Sequence, residues 1–424
     1  MTTAYEVLPH DGQQHEPSAL ALRWPRTRTD SPTPTVTCTL GWELDLLGPA
    51  PAAAADLVRI AASAYPADRS ARRPITTFTR TIDLTVHTVD PAPWNAASGR
   101  LAEELLSWLT GDAWHLHAVP AIPGSHPPAP VPDADDVMLL SGGLDSLCGA
   151  ADHLGDTTRR IHLSHYDGST VIRHAQQQTS AWLSNRARQP LRHLSVKLCQ
   201  THTAAESSSR SRSLLFAALA SAVAAGASSP QVTVPENGFT SINPPLTAAR
   251  GGALSTRSTH PGTFACINEL LASLDIPVTL ANPYAYLTKG QLLARALDRA
   301  GPSLLQAGAE TLSCSKLDGN WYPGGDPTLN CGLCLACLVR RGAFTAVPHH
   351  DPTTYLVDHL TGQAHQLLLE RRRKDVHDVR QAIARGIDDT DILAVGELPP
   401  DTDLDAVVGL CQRGLQELNH VPPP

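Results

Sequence analysis

Two groups of residues in this chain have the types and spacing to do chemistry. The first is Ser141-Gly142-Gly143-Leu144-Asp145-Ser146, which follows the apolar run Val137-Met138-Leu139-Leu140 and precedes a small-residue helical pattern. A strand that passes through such a turn straight into a helix gathers backbone N–H groups and a helix N-terminus in one concavity, and both favour an anion. The glycines allow close approach of the backbone to the anion's oxygens, and the hydroxyls of Ser141 and Ser146 add donors. Asp145 is out of place beside an anion unless a cation lies between them, which implies Mg²⁺. An ordinary βα turn would account for the glycines but not for the serines and the aspartate. A Walker A loop is excluded, because no Gly-Lys-Ser/Thr follows the glycines.

The second group is Cys314, Cys331, Cys334 and Cys337, spaced C-x16-C-x2-C-x2-C. Two-residue gaps let successive sulfurs converge on one ion, and four thiolates match a closed tetrahedral Zn²⁺ site with no position left for water, hence a structural one. Gly332, inside the first short gap, helps the backbone fold around the metal. Four cysteines also suit an iron–sulfur cluster, and a redox CxxC pair is a third possibility. The total of nine cysteines is odd. That count, with four of them crowded together, argues against a secreted disulfide framework and for metal binding in a reducing compartment.

The rest of the chain must position these groups. Its 424 residues suffice for two or three domains, and a net charge of −8 gives no electrostatic footprint for general nucleic-acid binding. The first residues lack a basic segment followed by an apolar one, and the Ala-rich run at 213–227 is too short to span a bilayer. A cytoplasmic protein with no membrane partner is expected. Residues 1–34 read as a flexible lead-in. Residues 35–119 read as a small α+β domain, with strands at 35–47, 80–89 and 113–119 and helices at 52–65 and 96–111. His115 and His117 point the same way on the last strand, toward solvent rather than a metal. Residues 120–132 form a Pro-rich linker. Strands near 137–141, 160–166, 191–198, 231–235 and 276–281, with helical patterns between them, predict an α/β domain over 133–350. Its parallel sheet would be doubly wound and would bind ligands beyond the carboxyl ends of its strands. Residues 351–424 read as a helical C-terminal region, with Val376, Val379 and Ile383 on one apolar face and Leu404, Val407, Cys411, Leu415 and Leu418 on another. The Arg371–Lys374 run reads as a solvated helix face.

The sequence SGGLDS resembles the signature of the PP-loop ATP pyrophosphatases, which cleave ATP to AMP and pyrophosphate. That likeness implies a Rossmann-like sheet of the HUP type and makes residues 141–146 the ATP-binding turn. Together with TLSC…CGLCLACLVRRGAF, the chain resembles the 7-cyano-7-deazaguanine synthase (QueC) family. Weaker matches at YDGSTVIRHA, SRSLLFAALASAVAAGA and YLTKGQLL fall in the same order. The likeness covers about 135–347, roughly half of the chain. The extra N-terminal residues, the helical tail and the long segment at 234–262 depart from that family. With them, the chain is similar to the QueC-like components of Qat anti-phage defence systems.

The resemblance implies an AMP-forming ligase that uses ATP, Mg²⁺ and a structural Zn²⁺, with 7-carboxy-7-deazaguanine as substrate. Adenylation would supply the leaving group that a carboxylate lacks, and an amine would then form the amide. In QueC the amine is ammonia, and a second ATP-driven dehydration gives the nitrile. The added N-terminal domain points instead to a dock for a partner protein of the same defence system, whose amine is the acceptor. A PP-loop enzyme acting on tRNA and a non-catalytic nucleotide-binding scaffold are the other readings. Glu236 and Asn237 follow the strand at 231–235, where a carboxylate would accept paired hydrogen bonds from a guanine-like edge. Arg212, with Arg210 beside it, is placed to contact the nucleotide, and Lys289 to stabilise departing phosphate alongside Asp145 and Ser146. Arg257 and His260 are assigned to the substrate carboxylate or to proton transfer.

Overall fold

The computed structural model describes residues 2–10, 20–25, 36–77, 79–122, 130–200, 205–206, 210–247 and 256–422. The strands are β1 (Thr2–His10), β2 (Leu20–Pro25), β3 (Val36–Cys38), β4 (Thr81–Thr88), β5 (Ala113–Pro120), β6 (Asp136–Leu139), β7 (Arg160–Tyr166), β8 (Arg192–Gln200), β9 (Gln231–Thr233) and β10 (Thr279–Ala281). The helices of the first half are α1 (Ala52–Ser70), α2 (Ala97–Thr110), α3 (Leu144–Asp152), α4 (Thr170–Ser184) and α5 (Arg212–Gly226). Then follow α6 (Gly238–Ile242), α7 (Pro261–Ser273), α8 (Lys289–Ala300), α9 (Ser303–Ala309) and α10 (Leu335–Thr345). The C-terminal region holds α11 (Leu356–His359), α12 (Gly362–Arg385), α13 (Asp389–Leu393) and α14 (Leu404–Asn419).

Among the described residues there are two sheets. The six-stranded sheet has the order β10-β9-β6-β7-β8-β3 and is parallel except at its β3 edge. Along β7 the buried residues run almost unbroken, as they must where helices cover both faces. The chain runs from β6 outward through β7 to β8, then returns to the other side of β6 as β9. The strand order therefore reverses between β6 and β9, and a crevice opens at such a point beyond the carboxyl ends of the strands.

The four-stranded sheet has the order β2-β1-β4-β5 and is parallel throughout. Residues 2–10 and 20–25, expected within a flexible lead-in, are strands here. Tyr5 and Val7, and likewise Leu22 and Trp24, alternate inward and are buried. Residues 11–19 and 26–35 of that segment lie outside the described residues, as do 123–129 of the linker. The expected α+β unit at 35–119 is corrected in two respects. Its strand at 35–47 shortens to β3 and joins the other sheet, held by Lys197 N–H on Thr39 Oγ1 at 3.0 Å and Thr39 N–H on the Lys197 carbonyl at 2.9 Å. Leu44 then adopts φ 58° and leads into a short 3-10 turn at Asp45–Leu47, which no strand can continue. Of the remaining strands, β4 pairs parallel with β1 and β5 parallel with β4, with α1 and α2 preceding them, so this layer is also α/β.

One apolar core runs through both sheets. It includes Trp24, Ile82 and Leu105 from the first layer and Val137, Leu219 and Val232 from the second. Helix α5 makes this continuity possible: its alanines bury it nearly all round, with α1 packed against it. A smaller core joins α6 and α10 to α12–α14 through Phe239, Val339, Val379 and Leu410. The two apolar faces expected in the C-terminal region meet there. Among the described residues no helix is long and apolar enough to cross a membrane.

Candidate functional site

The glycine–serine turn lies at the switch point. Gly142 has φ 84°, and a Cβ on it would fall 2.9 Å from the backbone nitrogen of Gln176, so only glycine fits. The turn is held from both sides. The Leu312 N–H donates to the Gly142 carbonyl at 2.9 Å, and Gln176 Nε2 donates to the Ser141 carbonyl at 3.3 Å. Ser141 Oγ accepts the Gly143 N–H at 3.3 Å and lies 3.2 Å from Ser146 Oγ, whose hydroxyl donates to the Gly143 carbonyl at 3.0 Å. Gly143 is the N-cap of α3 and offers no side chain, so the first-turn amides of Leu144, Asp145 and Ser146 face the concavity uncapped. Those donors and the helix dipole suit an anion.

Asp145 is buried and gathers partners from two distant segments. Its Oδ2 accepts from Lys289 Nζ at 2.8 Å and from Asn237 Nδ2 at 2.8 Å. Lys289 is the first residue of α8, and Asn237 caps α6, its Oδ1 accepting the Thr240 N–H at 3.0 Å. Glu236 joins them: its Oε1 accepts from Thr240 Oγ1 at 2.7 Å and from Asn237 Nδ2 at 3.2 Å. One lysine thus faces two buried carboxyls, and two negative charges there would be uncompensated. Burial pushes Asp145 up, but Lys289 and hydrogen bonds from Glu236, Lys289 and Asn237 outweigh it and hold this carboxyl below the usual range. Burial and the Asp145 charge push Glu236 well above its usual range, so Glu236 carries the proton of the pair. Burial pushes Lys289 down, but the charge and hydrogen bond of Asp145 more than restore it and keep the ammonium charged.

A cavity of about 400 Å³ opens above this cluster, within the size range of small-molecule sites. Ser141, Ser146, Glu236, Arg210, Arg212 and Phe216 line it. The two arginines flank Ser211, and the first layer anchors that residue. Asp68 of α1 accepts the Ser211 hydroxyl at 2.8 Å and its N–H at 3.3 Å on Oδ2, while Oδ1 meets Arg80 at 2.5 Å. Arg80 continues to Asp112, itself held by Arg73 at 2.9 Å. The N-terminal layer therefore fixes the segment that carries Arg210 and Arg212 to the cavity.

The structure brings together the expected residues 141–146, Arg212, Glu236, Asn237 and Lys289, with Asn237 and Lys289 beneath the cavity wall, on Asp145. It separates Arg257 and His260 from them, and their assignment to the substrate is corrected. Arg257 donates to the carbonyls of Val395 and Trp108 at 3.1 and 3.2 Å and stacks on the Trp108 ring at 4.1 Å. His260 caps α7, its Nδ1 accepting the Gly262 N–H at 3.1 Å, and burial and Arg257 push it down to about 4. Both residues lock the start of α7 to α2 and the C-terminal region. Their neighbours Thr256, Ser258 and Thr259 face the cavity instead. The roles of Asp68 and Phe216 were not foreseen. His115 and His117 are exposed and belong to no metal-ligand group among the described residues.

The four cysteines are buried, and their sulfurs all lie within 4.8 Å of one another. Cys314–Cys334 and Cys331–Cys337 are 3.9 and 3.8 Å apart. A tetrahedron with Zn–S bonds of about 2.3 Å has edges of roughly 3.8 Å, so the four thiols are placed to hold one metal ion such as zinc. Cluster irons stand between their cysteines and would spread the sulfurs further. Asn330 Oδ1 accepts the N–H groups of Ser313 and Cys314 at 2.8 and 3.0 Å and ties the remote cysteine to the CxxCxxC segment. In the run at 371–374, expected to be solvated, Arg371, Arg373 and Lys374 are exposed, and only Arg372 is corrected. Arg372 is buried and ion-paired to Asp318 in the loop between Cys314 and Cys331, while Arg371 lies over the Tyr322 ring at 5.2 Å.

The fold and its two centres define an α/β protein with a parallel sheet, a cavity of mixed polar and apolar lining at its switch point, and a buried four-cysteine group placed to hold a metal ion. No family model matches the chain, and no curated protein matches it.

Proposed function

We propose that the chain is an ATP-dependent, AMP-forming ligase of the QueC-like PP-loop type, similar to the QueC-like component of Qat defence systems. Its carboxylate substrate would be 7-carboxy-7-deazaguanine. The observation that carries this reading is the uncapped 141–146 turn opening at the switch point onto a cavity that Arg210 and Arg212 also line. Such a cavity combines anion donors with cations and has the volume for a heterocycle.

In this reading the amides of Gly143–Ser146 and the two serine hydroxyls bind the pyrophosphate portion of ATP, and Arg212 offsets further negative charge. Asp145 Oδ1 is buried and meets no donor other than the Glu236 carboxyl, which leaves it able to take a cation. Asp145 would hold Mg²⁺, which when bound neutralises phosphate charge. A substrate carboxylate oxygen attacks the α-phosphorus, and the bond to pyrophosphate breaks. An amine nitrogen then attacks the acyl carbon, the C–O bond to AMP breaks, and the amine gives up a proton. Glu236 reaches the cavity wall with its proton and would hydrogen-bond the heterocycle. Lys289 keeps Asp145 ionised. The acceptor is a protein amine of a partner or ammonia. Since Asp68 of α1 holds the Ser211 segment beside the cavity, the position of residues 35–119 favours a role in supporting the site over that of a detachable dock.

The test is AMP release from ATP–Mg²⁺ with 7-carboxy-7-deazaguanine, with ammonium or neighbouring gene products added separately and products read by mass. Substrate-dependent AMP, with a mass gain on the acceptor equal to the acyl group, supports the reading. No AMP with any acceptor defeats it, and the nitrile as sole product assigns ammonia.

A further inference from the structure

Lys289 owes its place to the C-terminal helix. Glu417, on α14, reaches the start of α8 and straddles Lys289: one carboxylate oxygen accepts from Thr288 Oγ1, and the other accepts the Gly290 N–H at 3.1 Å. Thr288 is the N-cap of α8 within a complete capping box, so this end of the helix already has its usual side-chain caps. Glu417 is an added anchor, drawn from a helix 129 residues away. A carboxylate at a helix N-terminus is favourable, and this one locks the backbone on both sides of the lysine.

The contact is built closely. A Cβ on Gly290 would fall 2.5 Å from Glu417 Oε1, so α8 meets the carboxylate only because glycine stands there. One turn earlier on α14, a Cβ on Gly414 would fall 2.4 Å from the Phe239 ring of α6. Helix α6 is the element that Asn237 caps. One helix therefore presses on both elements that supply hydrogen bonds to Asp145 Oδ2, a partly buried arrangement in which small displacements are costly.

We infer that Glu417 is a positioning residue that sets Lys289, and through it the charge balance at Asp145, so that the C-terminal helix is part of the site. Its effect on the ammonium is independent of the ligase reading; only the consequence for adenylation rests on that reading. The groups that face Lys289 are Asp145 from α3, Glu236 ahead of α6, Arg340 from α10 and Glu417 itself.

The chain has only four lysines, Lys197, Lys289, Lys316 and Lys374. Lysine-selective ¹³C/¹⁵N labelling of the full chain therefore gives four side-chain signals, with that of Lys289 assigned by its loss in Lys289→Arg. In the wild type the Lys289 ammonium should exchange its protons slowly and stay charged to high pH. Glu417→Ala should speed that exchange by roughly tenfold or more and lower the lysine's titration midpoint, with the other three signals unmoved. Glu417→Gln, which keeps one acceptor, should lie between them, and it preserves the test if the alanine variant fails to fold. A Lys289 signal unchanged in a folded Glu417→Gln or Glu417→Ala protein overturns the inference. In the adenylation assay the same variants should lose roughly tenfold to a hundredfold in kcat with little change in KM. Absence of activity in the wild type would defeat the ligase reading and leave the lysine result standing.

Discussion

The two centres of this molecule are built in opposite ways. The tetrathiol site takes three of its four ligands from seven consecutive residues, 331–337, and the fourth from nearby Cys314. The Asp145 cluster takes its members from 145, 236–237 and 289, and its support from 417. In the first, chemistry follows from local spacing, and a bound ion would supply the cohesion. In the second, the switch point of a sheet brings together groups that have nothing local in common, and the C-terminal helix braces them. A local metal centre should therefore fail all at once when its ion leaves. The long-range cluster should degrade in steps as each brace is cut.

The largest expected effect is metal loss. Binding of a structural Zn²⁺ contributes on the order of 10 kcal/mol to folding, so a strong chelator or Cys334→Ser should collapse the segment around 311–360 and lower the melting temperature sharply. Metal analysis should give one ion per chain. Four irons, or no metal and an unchanged Tm, would break the first half of the comparison. Next is Asp145→Ala, which should abolish adenylation, at least about a thousandfold in kcat/KM, because it removes the centre of the cluster and leaves Lys289 unpaired. Retained activity would show the cluster to be structural only.

Glu236→Gln gives a smaller effect with a definite sign. The folded carboxyl has a raised pKa, so the folded protein holds a proton that the unfolded chain releases above about pH 4.3. Wild-type stability should fall with rising pH in that window, by at most about 1.4 kcal/mol per pH unit, and the glutamine variant should lack that loss. Parallel denaturation profiles for the two proteins would contradict the shared proton. The smallest effect is that of Arg257→Ala, which breaks two hydrogen bonds and a stack on Trp108. It should cost about 1–2 kcal/mol of stability while leaving the KM for the carboxylate substrate unchanged. A raised KM would restore Arg257 to the substrate site.

The same contrast decides what could be read in the sequence. Buried parallel strands leave apolar runs, and the order of those runs placed β6 to β10 within a few residues. Glu236 and Asn237 were legible because they follow a strand, and the turn at 141–146 because its glycines and serines are adjacent. Arg257 and His260 were misplaced because what fixes them, Trp108 and Val395, lies 149 and 138 residues from Arg257. Arg372 was taken for solvated because the loop that buries it belongs to the metal segment. Glu417 looks like a polar residue on an amphipathic helix, and only the approach of α8 at Gly290 gives it a role. Strands β1 and β2 were hidden by their polar surroundings, although Tyr5, Val7, Leu22 and Trp24 carry the period of two.

The most direct test of the adenylation claim is ATP–pyrophosphate exchange, which requires no acceptor amine. With 7-carboxy-7-deazaguanine and Mg²⁺, label from pyrophosphate should enter ATP in the wild type, at a rate near zero without the carboxylate or in Asp145→Ala. No exchange, or exchange indifferent to the substrate and to Asp145, would contradict the assignment of the 141–146 turn as an adenylating site.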